Sequence, residues 1–364
     1  LGVESCGATL HRARGLRGYR KLRAGPSWSK PWLDLMLLIK LVSVARDLRP
    51  DLIHAHNYEA PIAAYLARAG LKIPVVYGSH NLMVDELESY FDRSWSRWLA
   101  RGLALALDKS VPRGADACIT LSSAAVDELQ RLGVPPELLH HIPPGVDPED
   151  FPAGDCMPRP GPDDPQSTAR VVYAGNPDGY QDLELLFDAV RVARLEHPGL
   201  RLRMISSAEL GPTLRIAESR GLPLDAVESM TTSSWPDVRR AMGECQAAVL
   251  PRRVCRGYPI KLLNYLAMGL PVVACEGSAM GLEDNRFGRV VGPCVTEFAA
   301  ALTDLVRSPV RSYSMGVAGR RWVLEGQTWS DRVPYFERVY RDVLRHDGDS
   351  SLAGSSLAGG AGLR

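Results

Sequence analysis

The sequence predicts an α/β protein made of two Rossmann-like, doubly wound halves, and three observations carry that prediction. Short apolar runs alternate with amphipathic helical stretches from residue 32 to residue 143. A segment rich in Pro, Gly and Asp and without any period, residues 152–169 (FPAGDCMPRPGPDDPQST), then interrupts the alternation. Beyond it the same alternation restarts, and 364 residues are enough for two domains of about 150 residues each.

In the first half, residues 32–47 have helical periodicity, and residues 51–54 (DLIH) follow Pro50 as a short buried strand. Residues 61–69 are helical again, and Val75, Val76 and Tyr77 form a second strand that ends at the turn of Gly78. A long helical stretch leads to a third strand at 117–121 (ACITL). Ser122 or Ser123 then caps a helix ending near Leu132, and a fourth strand begins at residue 141. Gly145, in PPGVD, is expected to turn the chain toward the second half, with Asp147 capping the turn after it. There, strands are expected at 170–174 (RVVYA), 200–206, 247–250 and 271–274, and helices at 183–196, 212–220 and 261–268. The domains therefore read 1–151 and 170–326, joined by the linker 152–169, with a helix at 327–346 crossing back to the first. Residues 347–364, low-complexity Gly, Ser, Ala and Leu, read as a disordered tail. No alternating strand occupies the first thirty residues, so the first half is expected to lack an initial strand.

Composition excludes several classes. Forty-three Lys plus Arg nearly balance 42 Asp plus Glu, so no overall field favours nucleic acid, and any basic patch must be local. Seven scattered Cys without a CxxC pair indicate neither a disulfide framework nor a zinc site, and a reducing cytosol is the expected compartment. The most apolar stretch, 33–44, contains Asp34 and Lys40, so no transmembrane helix is expected. No GxGxxG opens a helix after a strand, which argues against a dinucleotide-dependent oxidoreductase. No metal site is expected: the one Asp-x-Asp, Asp347 with Asp349, lies in the tail.

The densest chemistry is in residues 251–274, PRRVCRGYPIKLLNYLAMGLPVVA. A loop carrying Arg252, Arg253 and Arg256, broken by Gly257 and Pro259, feeds a helix with Lys261 in its first turn and Asn264 in its second. Free N–H groups and the dipole at a helix start attract anions, and nearby cations strengthen this, so a diphosphate suits the place. Lys261 and Asn264, three apart, share a face, and an amide with both donor and acceptor suits paired sugar hydroxyls. The competing interpretation is a surface helix behind a solvated basic loop.

This block resembles the nucleotide-sugar motif of family 4 glycosyltransferases of the GT-B fold, E-G-F-G-L-P-x-L-E-A-M-A-x-G-x-P-V-V. Gly257, Tyr258, Leu263, Ala267, Gly269, Pro271, Val272 and Val273 hold its register. DLIHAH at 51–56, VVYGSHN at 75–81, ADACITLSSAAVDEL at 115–129 and HHIPPGVDPEDF at 140–151 are similar to successive markers of the acceptor half. VVYAGNPDGYQDLELLFDAV at 171–190 is similar to the first strand, loop and helix of the donor half. The resemblance runs in order from about residue 33 to residue 345. It implies a cleft between the halves and transfer of a sugar from a nucleotide-diphosphate sugar, a co-substrate rather than a cofactor, to an acceptor hydroxyl, with retention and without a metal. Cations preorganised around the departing diphosphate would lower the barrier.

The departures from the family pattern are specific. Its two glutamates fall on Arg256 and Asn264, and the Arg and Lys after its first donor-half strand fall on Asn176 and on Tyr180 or Gln181. The expectation is that the positive charge has moved, with Arg252, Arg253, Arg256 and Lys261 supplying what the loop of Gly175 and Asn176 does not. His80, in GSHN at the carboxyl end of the 75–77 strand, matches a family His that contacts the donor. Its residue-level alternative is a His bonded to a neighbouring loop. His54 and His56 read as structural or acceptor-side. Glu276, with Gly277 after the 271–274 strand, is the nearest surviving carboxylate to the missing first glutamate. The expected catalytic set is His80, Lys261 and Arg256; the donor-binding set is Gly175, Asn176, Arg252, Arg253, Tyr258, Pro259, Asn264, Glu276 and Gly277.

On the acceptor side, Arg12, Arg14, Arg17, Arg20, Lys21 and Arg23 precede a segment at 90–107 holding Tyr90, Phe91, Trp95, Trp98, Leu99, Leu103 and Leu105. Together they read either as a docking surface for anionic lipid at the inner membrane surface, suiting a lipid-linked acceptor, or as a solvated edge beside a core helix, which the sequence favours. The expected partners are a nucleotide-sugar donor and a glycan or lipid-linked acceptor, in polysaccharide or glycolipid synthesis. The rivals are a catalytically silent nucleotide-sugar binder and a nucleotide-sugar epimerase of the same architecture, the latter short of carboxylates for acid and base.

Overall fold

A computed structural model describes residues 8–13, 29–91, 93–154 and 168–357, with side chains to residue 345. The chain divides into two units, Pro143–Val333 and the remainder, the latter rejoined by the chain from Pro334 onward. Most of the basic segment expected at 12–23 and most of the linker at 152–169 lie outside the described residues.

The first unit holds α1 (Lys30–Leu48), β1 (Ile53–His56), α2 (Glu59–Leu71), β2 (Val75–Ser79), α3 (Met83–Glu86), α4 (Ser94–Ser110), β3 (Ala117–Thr120), α5 (Ser123–Arg131) and β4 (Leu139–His141). Its four strands are parallel in the order β1-β2-β3-β4. Strand β2 is buried throughout, which explains its unbroken VVYGS composition. Ser122 caps α5, its Oγ accepting the Ala125 N–H at 3.1 Å, an arrangement worth about 1 kcal/mol. β1 starts two residues later than the apolar run suggests, because pairing with β2 sets Ile53 opposite Val75. β4 ends before the Pro pair at 143 and 144, which has no N–H to give a sheet.

The second unit holds β5 (Ala169–Ala174), α6 (Leu183–Glu196), β6 (Leu200–Ser206), α7 (Gly211–Ser219), β7 (Val227–Thr231), α8 (Trp235–Gly243), β8 (Ala247–Leu250), α9 (Ile260–Ala267), β9 (Val272–Cys275), β10 (Gly288–Val291), α10 (Val295–Arg307) and α11 (Pro309–Gly326). Its six parallel strands run β10-β9-β8-β5-β6-β7, the doubly wound order. Strands β7 and β10, which periodicity does not predict, are the two edges. Each carries a charge that hides its apolar pattern: Glu228 in β7 pairs with Arg170 and Arg203, and Arg289 in β10 with Asp304. The segment after the first unit lies against the end of the second, with Val146 N–H donating to Gln327 O at 2.9 Å. Asp147 Oδ1 accepts the Glu149 N–H at 3.0 Å.

The last helix, α12 (Trp329–Leu357), starts in the second unit. Its Val339 and Val343 pack with Val76, Ala117, Ile119 and Ile142 of the first. It continues through residues 347–357, where the composition suggests no order; Ala and Leu in that stretch are strong helix formers. Residues 358–364 lie outside the described set.

Candidate functional site

In the second sheet β5 and β8 are neighbours although 72 residues separate their ends in sequence: β5 crosses over to β6 on one side and β8 to β9 on the other. The connections therefore leave in opposite directions, and a crevice opens outside the carboxyl ends of these two strands. Gly175 follows β5 and Arg252 follows β8, so the topology itself brings the two candidate phosphate loops together. A cavity of about 290 Å³ lies there, lined by Gly175, Asn176, Ser206, Trp235, Lys261 and Asn264 among others, with no Asp or Glu in its wall.

Lys261 leaves the first turn of α9 and passes beneath the Gly175 loop. Its Nζ donates to the Tyr173 hydroxyl at 2.8 Å and to Gln181 Oε1 at 3.1 Å, and sits 4.4 Å from the centre of the Tyr173 ring. Burial, reinforced by the Arg252 charge and opposed by Asp178, lowers this ammonium to about 7. Gly175 has φ +145°, and a Cβ there would lie 2.6 Å from Lys261 Nζ, so only glycine lets the lysine pass. Arg252 is 6% exposed, stacks 4.7 Å from the Tyr180 ring centre and donates Nε–H to Val254 O at 2.7 Å. Its Nη2 is buried with no partner among the described residues. A buried guanidinium N–H without an acceptor costs free energy. Lys261 and Arg252 meet Gln181 and Tyr180, the residues at which the family pattern would carry its own cation.

The remaining predicted residues divide. Asn176 Oδ1 accepts from Ser207 Oγ at 3.0 Å and its backbone oxygen from the Tyr173 hydroxyl at 2.9 Å, so it braces the loop. Asn264 lines the cavity beside Lys261. Arg253 is committed elsewhere: its backbone N–H donates to Asp182 Oδ2 at 2.8 Å and its Nε lies 3.6 Å from Oδ1. Arg256, Tyr258 and Pro259 are not in the cavity wall. Tyr258 packs on the core behind it, where burial raises its phenol to about 12. Glu276 is exposed in the one-turn segment Glu276–Ser278, and a Cβ on Gly277 would overlap the Arg253 carbonyl oxygen. Tyr173 and Tyr265 meet Lys261 or the end of β5 without being found by motif reading, and Gln181, marked there as a missing cation, accepts from Lys261. Tyr265 fixes the end of β5 by accepting the Ala174 N–H at 2.7 Å. A larger depression of about 680 Å³ at the opposite edge holds arginines already engaged: Arg307 with Glu196 and Arg311 with Asp304.

In the first unit His80 follows β2, as predicted, and the structure adds two residues to it. His56 Nδ1 and His80 Nε2 are 2.9 Å apart, a hydrogen bond whose direction the tautomers set, and the rings meet edge to face. His54 stacks 4.2 Å from His56 and bonds the Tyr340 hydroxyl through Nδ1 at 2.7 Å. Both imidazoles lie on Gly78, where a Cβ would be 2.6 Å from His56 Nδ1. Burial, with neighbouring imidazoles adding to it, lowers His54 to about 4 and His80 below its usual value. The cluster is thus neutral near pH 7. Behind it Asp108, fully buried, accepts the Met83 and Val84 N–H groups at 2.9 and 3.0 Å and the Tyr58 hydroxyl, anchoring the chain after His80. Among the described residues no group of three or more His, Cys, Asp or Glu is arranged to hold a metal ion, and no helix is long and apolar enough to cross a membrane.

The family profile of Glycosyltransferase Family 4 matches residues 5–150, and that of Glycosyl transferases group 1 matches residues 168–308. The chain is 26% identical over 317 residues to the MMP alpha-(1->4)-mannosyltransferase of Mycolicibacterium hassiacum, covering 84% of this chain and 74% of that one. It shares 28% identity over 224 residues with a GDP-mannose-dependent alpha-(1-6)-phosphatidylinositol monomannoside mannosyltransferase of Mycolicibacterium smegmatis, 54% of this chain and 55% of that one. Among solved structures, the sucrose-phosphate synthase of Thermosynechococcus elongatus superposes with a TM-score of 0.70 at 16% identity over 86% of this chain and 79% of that one. Anabaena HepE, solved with UDP and glucose, gives 0.65 at 16% over 90% and 83%. At such identity the solved structures speak for the fold, while the two profiles, one per half and in order, speak for the family. With one family profile on each half and two parallel doubly wound sheets, the chain belongs to the family 4 glycosyltransferases of the GT-B fold, enzymes that use a nucleotide-sugar donor.

Proposed function

We propose that this protein transfers a hexose from a nucleotide-diphosphate sugar to an acceptor hydroxyl with retention at the anomeric carbon, in the building of a glycolipid or polysaccharide. The observation that carries the proposal is Lys261 Nζ beneath Gly175, with the Arg252 guanidinium over the ring of Tyr180, which follows the same strand as Gly175, and its Nη2 without a partner among the described residues; Arg252 itself does not line the cavity. In this account the diphosphate replaces Gln181 and Tyr173 as the acceptor of the Lys261 N–H groups and gives Arg252 the partner it lacks. Charge that builds on the leaving diphosphate then meets fixed cations in a desolvated place, so that role falls to side chains rather than to a metal. Asn264 suits the ribose hydroxyls, and the apolar wall of Trp235, Val238 and Met242 suits a base. The cavity wall offers no carboxylate as nucleophile or base. Same-face displacement fits that composition: the bond from the anomeric carbon to the phosphate oxygen breaks, the bond to the acceptor oxygen forms, and the departing phosphate takes the acceptor proton. His80, hydrogen-bonded to His56, is a neutral group suited to a hydroxyl.

The relatives' names favour mannose as the sugar transferred and, for one of them, a phosphatidylinositol mannoside acceptor. The replacement of both family glutamates by Arg256 and Asn264 favours a second reading, a binder without turnover. Thermal-shift screening with UDP-, GDP- and ADP-sugars tests both: a donor at a hundred times its Kd stabilises by about 2.7 kcal/mol. Stabilisation with product of retained anomeric configuration by NMR supports the transferase. Stabilisation without turnover supports the binder, and no shift with any donor refutes both.

A further inference from the structure

A helix on the surface of an α/β unit normally turns its large apolar residues inward and its polar ones to water. Helix α4 does the opposite. Its buried line is Ala100, Ala104 and Asp108, spaced four apart, with Asp108 tied to the Met83 and Val84 N–H groups. Its solvent side presents Trp95 (63% exposed), Trp98 (74%), Leu99 (52%) and Leu103 (56%). These positions recur at three and four residues and so form one continuous stripe. The tie through Asp108 prevents the helix from rolling to bury them.

The surroundings extend the apolar face and give it a charge. Leu107 borders a groove of about 380 Å³ shared with Leu35 and Leu38 of α1 and Ile62 and Leu66 of α2. Exposed cations accompany the α4 stripe: Lys109 within its angular range and Arg101 beside Trp98, with Arg97 and Arg93 near the amino end of the helix. Arg101 pairs with Glu88 at 2.9 Å, and the helix has no exposed carboxylate of its own. Two outward tryptophans, leucines beside them and Arg and Lys close by are the composition of a helix that lies in the plane of a bilayer surface, rings at headgroup depth and cations on anionic phosphates. We infer that α4 is a membrane-docking helix whose partner is an anionic phospholipid surface, entered by Trp95, Trp98, Leu99 and Leu103. A solvated core helix, favoured by the sequence alone, would show the reverse burial.

This inference does not depend on the transfer reaction, and its test uses no sugar. The full chain is centrifuged with phosphatidylglycerol-containing vesicles and with pure phosphatidylcholine vesicles at low and high salt. Docking predicts binding to the anionic vesicles that falls as salt rises, and loss of it in Trp95→Ser/Trp98→Ser. Arg97→Gln and Lys109→Gln each weaken it about fivefold. Because a substituted chain could misfold, brominated phosphatidylglycerol is also added to the native protein, where it should quench tryptophan emission. Absence of binding to anionic vesicles, binding unchanged in the double variant, or absence of quenching each overturns the inference. A concentration-dependent dimer that the double variant abolishes, without vesicle binding, would assign the face to a second copy instead.

Discussion

The carboxyl ends of the two sheets are built from opposite chemistry on the same kind of scaffold. In the second unit, the crevice beside β5 and β8 gathers two cations, one desolvated to a pKa of about 7 and the other with a buried N–H group awaiting an acceptor. In the first unit, the ends of β1 and β2 gather three imidazoles whose pKa values are lowered: His56 bonds His80, and His54 bonds the Tyr340 hydroxyl while its Nε2 stays buried without a partner among the described residues. One end carries buried cations and the other imidazoles with lowered pKa values, a contrast that the proposed function reads as an anion site and a hydroxyl site. The contrast shows how a common fold can divide labour by the residues placed after its strands.

The largest effect should come from the cationic end. Lys261→Ala and Arg252→Ala should each lower kcat/KM about 10²- to 10³-fold, the usual cost of one preorganised donor to a developing anion, as read in a transfer assay. Lys261→Arg should not rescue, because the Gly175 loop leaves no room for a guanidinium. Unchanged turnover would remove these cations from the mechanism and erase the contrast.

At the neutral end, His80→Ala should cost about three- to tenfold, the range of one hydrogen bond between neutral groups. His56→Ala should cost less, and the double variant no more than His80→Ala, because His56 acts through His80. Additive losses would mean that the two imidazoles work separately.

pH sharpens the same distinction. Lys261 must be protonated to hold a diphosphate and is half neutral near pH 7, so KM for the donor should rise about fiftyfold from pH 7 to 9, and this rise should vanish in Lys261→Ala. The imidazoles respond on the acid side. His54 has its pKa lowered in the folded state, so the unfolded chain takes up the proton first; stability is full above pH 6.5 and declines toward pH 4, measurable as a falling Tm. His54→Phe should flatten that decline.

The local parts of this picture are legible in the sequence, and the long-range parts are not. Strands 200–206 and 247–250, helix 183–196 and the Ser122 cap follow from period and capping chemistry, which are local. The edges β7 and β10 are hidden by Glu228 and Arg289, whose charges make sense only beside their ion-pair partners. Lys261 stands out in sequence as a cation at a helix start. That it runs under Gly175 to Gln181 depends on β5 pairing with β8, which no local pattern encodes. Arg253 shows the converse: it has the right charge in the right loop, but Asp182, 71 residues away, engages it. His54 and His56 look structural because a strand shows only its own neighbours, whereas the sheet register sets them beside His80.

The central claim is that the cations for the diphosphate reach the Gly175 loop from the 251–261 segment. Calorimetric titration with a nucleoside diphosphate and with its parent nucleoside, for the native protein and for Lys261→Ala/Arg252→Ala, tests it directly. The account predicts that the native protein prefers the diphosphate by about a hundredfold or more, from two charge-assisted contacts, and that the double variant loses most of that preference while binding the nucleoside as before. A double variant that keeps the full preference would contradict it.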